Sequence, residues 1–251
     1  MTEFRTKMEA GALLAGTFLK TPAIEMVEVM ALSGLDFVCL DAEHAPFDRG
    51  RIDACLAVGR ALGFPCLVRV PDASPPTLMQ ALDAGAAGVV VPHVDSAEKA
   101  AAIAKACRYG GGGRGYAGST RSAGYGTQAM STVLGSSGEP IVIAQIEDAE
   151  GVEACEGIAA TDGIDGVFLG PADLSVSYGK TDQTSDELMA AIARVGEACA
   201  ATGKPYMTFA ANAEKAAAWR RYGFTVFFVA SEHAWMLQGA RATAEGIGAL
   251  D

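Results

Sequence analysis

Five apolar runs in this 251-residue chain end in polar residues that packing alone does not call for. Phe37-Val38-Cys39-Leu40 gives way to Asp41-Ala42-Glu43-His44, Arg69 sits between Val68 and Val70, and His93 follows Val91-Pro92. Gln145, Glu147 and Asp148 close a fourth run, and Phe168-Leu169-Gly170-Pro171-Ala172-Asp173 closes a fifth. A histidine with a carboxylate partner such as Asp41 suits general-base work near neutral pH, although His44 also reads as an exposed loop histidine. An arginine between two valines is costly to bury unless it meets an anion, from a substrate or from a structural ion pair. Glu147 and Asp173 offer two hard oxygen ligands; with water and substrate completing an octahedron, that is how Mg²⁺ or Mn²⁺ is commonly held. The other reading makes Asp173 a helix N-cap and leaves Glu147 solvated in the acidic run with Asp148 and Glu150. Three histidines and no H-x-x-x-H or cysteine cluster argue against zinc. His93 and His233 fit equally well as histidines satisfied by backbone groups.

Chemistry from five distant segments needs a scaffold that brings strand ends to one place. Eight runs read as strands: Leu14–Leu19, Phe37–Asp41, Cys66–Val70, Gly88–Val94, Ile141–Ile146, Gly166–Leu169, Pro205–Phe209 and Phe224–Ala230. Most are continuously apolar, as strands buried on both faces of a parallel sheet should be. Segments with helical periodicity lie between them, at Ile24–Ser33, Arg49–Leu62, Pro76–Ala84, Ala97–Cys107, Ala149–Ala160 and Asp186–Thr202. Gly34, Gly63, Gly85, Gly203 and Gly223 stand where left-handed C-terminal caps belong. This alternation over 1–251 predicts a single-domain α/β fold, a (β/α)8 TIM-type barrel in preference to a doubly wound sheet. No G-x-G-x-x-G opens an early helix, so no nucleotide cofactor is expected. In a barrel all strand C-termini open on one face, so the five polar groups converge. Residues 109–139 hold ten glycines. The expectation is a long functional loop on the active-site side, with Tyr109, Tyr116, Tyr125 and Arg121 shaping a lid or a subunit contact. Gly110–Gly113 with Arg114 lacks the G-K-[ST] of a phosphate loop.

Nineteen basic residues against thirty acidic ones give a net charge of −11. The pI is near 4.7, which disfavours nucleic acid or an anionic membrane as partner. Mean hydropathy is +0.23, yet no stretch of 18 apolar residues occurs, and no transmembrane helix is expected. The apolar run Ala10–Leu19 follows Glu3 and Glu9 and lacks a cleavage pattern, so it does not read as a signal peptide. Six scattered cysteines read as buried reduced thiols, and the cytoplasm is the natural compartment.

Taken together, Asp41-Ala-Glu-His44-Ala-Pro46, Val68-Arg69-Val70, Gln145-Ile-Glu147 and Gly166-Val-Phe-Leu-Gly170-Pro-Ala-Asp173-Leu-Ser175 resemble the HpcH/HpaI family of class II pyruvate aldolases. Arg108-Tyr109, Arg114-Gly115 and Arg121-Ser-Ala-Gly-Tyr125-Gly126 are similar to its glycine-rich loop. The resemblance runs from about residue 11 to about residue 245. It implies a barrel of the phosphoenolpyruvate/pyruvate-binding type with its C-terminal helix exchanged between subunits, in a homo-oligomeric hexamer built as a trimer of dimers. It implies cleavage or formation of the C3–C4 bond of a 4-hydroxy-2-oxo acid, with a small 2-oxo acid and an aldehyde as partners. Glu147 and Asp173 would hold Mg²⁺, Mn²⁺ or Co²⁺. His44 would be the base, Asp83 would raise its basicity, and Arg69 would stabilise the enolate. Gln145 and the backbone at Gly170, Pro171 and Ala172 would position the pyruvate unit. Phe18 stands where the family's heptanedioate aldolases carry Trp, and glycines replace their Pro-Pro. His93 is similar instead to the decarboxylating, macrophomate synthase-like branch, so oxaloacetate decarboxylation on the same platform is the alternative activity. A non-catalytic ligand-binding barrel is a third reading. No Arg or Lys is assigned to a distal carboxylate.

Overall fold

A computed structural model describes residues 2–135 and 139–250. Eight parallel strands close into a ring in sequence order: β1 (Leu14–Leu19), β2 (Phe37–Asp41), β3 (Cys66–Arg69), β4 (Gly88–Val91), β5 (Ile141–Ile146), β6 (Gly166–Leu169), β7 (Tyr206–Ala210) and β8 (Val226–Ser231). The barrel expectation holds, and four strands match their predicted spans. Each strand is buried on both faces, by the barrel interior and by the helical layer, which is why apolar runs marked them. Helices α2 (Ile24–Ala31), α3 (Arg49–Ala61), α4 (Pro75–Asp83) and α5 (Ala97–Cys107) follow the first four strands; α10 (Asp186–Thr202) returns the chain to β7. The predicted Ala149–Ala160 helix breaks at Ala154 into α7 (Ala149–Glu153) and α8 (Cys155–Ala160). All five predicted cap glycines have positive φ, from 66° to 95°.

Among the described residues five helices come in addition to those expected: α1 (Thr2–Glu9), α6 (Met130–Val133), α9 (Pro171–Ser177), α11 (Ala213–Trp219) and α12 (Glu232–Gly248). Helix α1 plugs the N-terminal end of the barrel. Its Phe4 and Met8 are buried against the interior cluster, with the Phe4 and Phe37 rings 5.2 Å apart. Arg5 fixes it by bonds to Asp165 Oδ1 (2.8 Å), just before β6, and to the Pro140 carbonyl (3.0 Å), just before β5.

The 109–139 segment requires a correction. It leaves the end of α5, and a short helix α6 (Met130–Val133) precedes β5, so it feeds the N-terminal end of a strand. It therefore lies at the end of the barrel opposite the polar strand termini. Arg114 bonds Asp83 Oδ1 and Ser122 Oγ and stacks 4.6 Å from the Tyr109 ring, while Arg121 bonds Asp53 and the Ala84 carbonyl. Those anchors belong to α3 and the end of α4, so within one chain this loop is no lid over the site. Residues 136–138 of the predicted loop lie outside the described residues.

Inside the barrel, Phe18, Phe37, Phe168 and Phe228 pack edge-on or tilted at 4.9–6.0 Å. Gly16 makes room for Phe37, whose ring lies 2.5 Å from where a Cβ on Gly16 would stand. Truncating Phe228 to Ala leaves a cavity touching three other rings, and its expected cost is about 3–5 kcal/mol in urea unfolding. A loss below about 1 kcal/mol would show that these rings do not carry the core.

Candidate active site

Side chains alternate between the two faces of a strand, so residues two apart along each run share the barrel interior. Phe37 and Cys39 point inward, and so does Asp41. Leu67 is followed by Arg69 in the same way, and Ile143 by Gln145. The interior thus changes from hydrocarbon to polar in a single layer at the C-terminal ends of the strands. Phe18 closes the hydrocarbon side, its ring centroid 4.3 Å below the Arg69 guanidinium carbon.

Asp41 and Arg69 are register partners across β2 and β3. Arg69 donates from Nε to Asp41 Oδ1 (3.0 Å) and from Nη2 to Oδ2 (2.8 Å), a bidentate fork. The His44 amide adds a bond to Oδ1 (3.1 Å) and Lys20 Nζ one to Oδ2 (2.8 Å). Burial by itself raises the Asp41 carboxyl's pKa, but these cationic donors reverse that and hold it at about 2. His44 presents an exposed ring at the mouth, its Nε2 3.7 Å from Glu43 Oε2. Arg69 thus meets a structural ion pair, and its Nη1 is left for a further acceptor.

Across the mouth, Glu147 is buried and accepts from the Gln145 side-chain amide and from the His93 backbone N–H (2.9 Å). Burial raises the Glu147 carboxyl, and it raises Glu43 likewise despite Arg69 Nε at 3.3 Å. Glu43 Oε2 and Gln145 Oε1 are buried without a hydrogen-bond partner. Gly170 is packed so closely that a Cβ there would lie 3.0 Å from Glu147 Oε2. His93 adopts φ 55°, unusual outside glycine, and that turn aims its N–H at Glu147. Its ring Nδ1 lies 2.9 Å from Asp148, and Lys99 Nζ donates to its carbonyl (2.5 Å). Burial lowers the His93 imidazolium's pKa, yet Asp148 and Glu147 raise it overall.

One ligand atom each from Glu43, His93 and Glu147 lie within 4.8 Å of one another. Asp173 stands outside this set. It occupies the third position of α9, whose N-cap is Gly170, so the N-cap reading of Asp173 is wrong. Its carboxylate is exposed and has no bonded partner among the described residues. Pro171 is buried at the first position of that helix, and Ala172 is exposed beside it.

The barrel brings together Phe18, Asp41, His44, Arg69, His93, Gln145, Glu147 and the Gly170–Asp173 turn. It does not bring Asp83 to His44: Asp83 ends α4 at the opposite end of the barrel and is bonded by Arg114. His233 is exposed on the first turn of α12, with Nε2 2.9 Å from Thr21 Oγ1. Sequence reasoning missed Lys20, the ligating capacity of Glu43, and Glu232. Lys20 carries the same signal as the others, a polar residue closing an apolar run.

The parallel eight-stranded barrel thus gathers at its mouth an exposed histidine, a buried guanidinium and carboxylate and amide oxygens. The model of the HpcH/HpaI aldolase/citrate lyase family matches residues 14–238, and the chain belongs to that family. It is 34% identical over 236 residues to a hydroxypyruvate/pyruvate aldolase of Paraburkholderia phytofirmans, covering 91% of this chain and 90% of that one. It is 37% identical over 210 residues to a 4-hydroxy-2-oxovalerate aldolase of Novosphingobium aromaticivorans, covering 82% and 79%. A crystal structure of an HpcH/HpaI aldolase/citrate lyase family protein from Burkholderia cenocepacia superposes with a TM-score of 0.92 at 30% identity, over 98% and 99% of the two chains. The chain is an aldolase-type carbon–carbon lyase with a TIM-type barrel. No helix among the described residues is long and apolar enough to cross a membrane.

The Asp41 carboxyl titrates near 3.8 when free and at about 2 in the folded chain. Its stabilising contribution is complete above pH 3.8 and is lost as pH falls toward 2, about 2 kcal/mol in all. Urea unfolding of the wild type and of Asp41→Asn between pH 5 and pH 2 should therefore converge as the pH drops. A gap that stays constant over that range rejects the assignment.

Proposed function

We propose that the protein cleaves or forms the C3–C4 bond of a 4-hydroxy-2-oxo acid, with pyruvate or a close 2-oxo acid as one product and an aldehyde as the other. The observation that carries this reading is the pairing, in one mouth, of a fixed guanidinium with buried oxygens that lack a hydrogen-bond partner among the described residues. Glu43 Oε2 and Gln145 Oε1 accept no hydrogen bond, although Arg69 Nε lies 3.3 Å from the former, and burial disfavours the charged forms of Glu43 and Glu147. Buried oxygens of this kind suit a hard divalent cation; following the family motif, Glu147 and Asp173 would be the carboxylates that hold it, with Gln145 beside Glu147. When bound, Mg²⁺, Mn²⁺ or Co²⁺ supplies Lewis acidity toward the 2-oxo group.

The protein's own groups do the rest. His44 removes the proton of the C4 hydroxyl. The C3–C4 bond breaks, its electron pair passes to the enolate of the 2-oxo acid, and the aldehyde is released. Arg69 faces that enolate with its unused Nη1, held rigid by Asp41 from behind and Phe18 from below, so the cation needs no reorganisation as charge develops. Protonation at C3 completes pyruvate. The amides at Ala172 and Asp173 suit the substrate carboxylate.

The assembly belongs to the same reading. Over its 17 residues α12 buries only Glu232, and Met236, Leu237 and Ile247 are more than half exposed. This supports a homo-oligomer, a trimer of dimers, in which α12 docks on a neighbouring copy and Asp83 meets a neighbour's His44. Six buried thiols are in keeping with the cytoplasm.

Chelation should abolish pyruvate release from 4-hydroxy-2-oxo acids, and Mg²⁺ or Mn²⁺ should restore it; activity indifferent to chelator sinks the reading. His44→Ala should reduce aldol cleavage by about 10²-fold or more, roughly the worth of a general base. It should reduce oxaloacetate decarboxylation far less, because that reaction has no hydroxyl to deprotonate. Arg69→Ala should depress both, and equal loss of both in His44→Ala would remove His44 from the role of base.

A further inference from the structure

Lys20 follows the last residue of β1 and lies at the mouth of the barrel. Strand order places β1 opposite β5, so Lys20 faces Glu147 across the opening. Charged side chains link the two: Lys20 bonds Asp41, Asp41 bonds Arg69, and Arg69 lies 3.3 Å from Glu43, which neighbours Glu147.

Asp41 does not need Lys20 for neutralisation, because Arg69 already forks onto both of its oxygens. Lys20 and Arg69 thus place two cations against two carboxylates, Asp41 and, 3.3 Å from Arg69, Glu43. Among the described residues the Lys20 ammonium makes a single hydrogen bond, so two of its three N–H donors are unused on a side chain 30% exposed at the mouth. Its backbone is not free to drift. The buried Glu232 carboxylate accepts from the Lys20 amide (2.9 Å) and the Thr21 amide (2.6 Å), locking the turn that carries the side chain. A buried carboxylate is expensive to keep, and this one holds the turn from which the Lys20 side chain departs.

We propose that Lys20 is a specificity residue that receives a carboxylate at the far end of the aldehyde half of the substrate. This rests on the aldolase reading. With the 2-oxo acid end at Glu147 and Asp173, a substrate extends from its C4 across the mouth toward β1 and β2. Its tail then arrives where Lys20 has N–H donors to spare. The ligand class is an aldehyde acid, and the cleaved substrate a 4-hydroxy-2-oxo dicarboxylate.

The test pairs aldehydes that differ only in an ionised carboxylate against a methyl group: glyoxylate with acetaldehyde, and succinic semialdehyde with butanal, each condensed with pyruvate. The wild type should prefer the anionic member of at least one pair in kcat/KM. Lys20→Met should reduce kcat/KM for that member about 10-fold more than for its neutral partner, and Lys20→Arg should keep the preference. Equal loss on both members, or no wild-type preference, overturns the proposal. Calorimetric titration with 2-oxoglutarate and 2-oxovalerate provides a readout that needs no turnover. The wild type should bind the former more tightly and Lys20→Met should lose the difference; equal wild-type affinities overturn the proposal. Absence of condensation with every aldehyde counts against the aldolase reading, and the titration still decides the role of Lys20.

Discussion

The buried ion pair between Asp41 and Arg69 is the constraint around which the mouth of this barrel is built. It is a register pair, so the hydrogen-bond ladder between β2 and β3 sets its geometry before any side chain adjusts. A guanidinium at that depth needs an anion, and a carboxylate at that depth needs several donors. Each residue meets the other's need, and Asp41 then has acceptor capacity left for the His44 amide and Lys20. His44, Arg69 and the mouth lysine are thus referred to one carboxylate. Displacing it would move all three.

The opposite side of the mouth has a different electrostatic character. Glu43 and Glu147 lie close together with raised pKa values, and the Gln145 oxygen points into the same space without a partner. Polar atoms left so in a tightly packed barrel mark a place where the fold alone is not at its optimum. The backbone shares in this. His93 holds a left-handed conformation that aims its N–H at Glu147, and a Cβ at position 170 would crowd the Glu147 carboxylate. The Asp41 side of the mouth is knit by charged hydrogen bonds, while Glu43 and Gln145 keep oxygens without a hydrogen-bond partner among the described residues.

Most of the mouth is legible in the sequence because parallel barrel strands are apolar on both faces, so a polar residue at a strand's end stands out. Asp41, Arg69, Gln145 and Glu147 are visible for that reason. Lys20 belongs to the same class but closes an apolar run that also has to be weighed as a targeting segment, and its neighbours Thr21 and Pro22 carry no motif. The glycines of the 109–139 loop suggest function, but the intervening helix α5 decides where the loop lies. One helix reverses the direction of the chain, which carries the loop to the N-terminal end of the barrel. The same geometry governs Asp83, since a residue ending a helix that leads into a strand stands at the strand's N-terminal end. Helix α1 escapes a reading by periodicity because Thr2–Glu9 is mostly polar, with Phe4 and Met8 alone reaching the core.

The layer of phenylalanine rings beneath Arg69, closed off by α1 at the far end, makes the barrel a blind chamber with a single opening. Nothing can pass through it, so every molecule that enters must leave by the route it came. On the proposed chemistry, the 2-oxo acid sits deeper and the aldehyde nearer the rim. Traffic is then ordered by position: the acid has to enter before the aldehyde, and the aldehyde has to leave before the acid. The stacked aromatic floor would thereby impose a kinetic sequence on the reaction without touching either reactant's bonds.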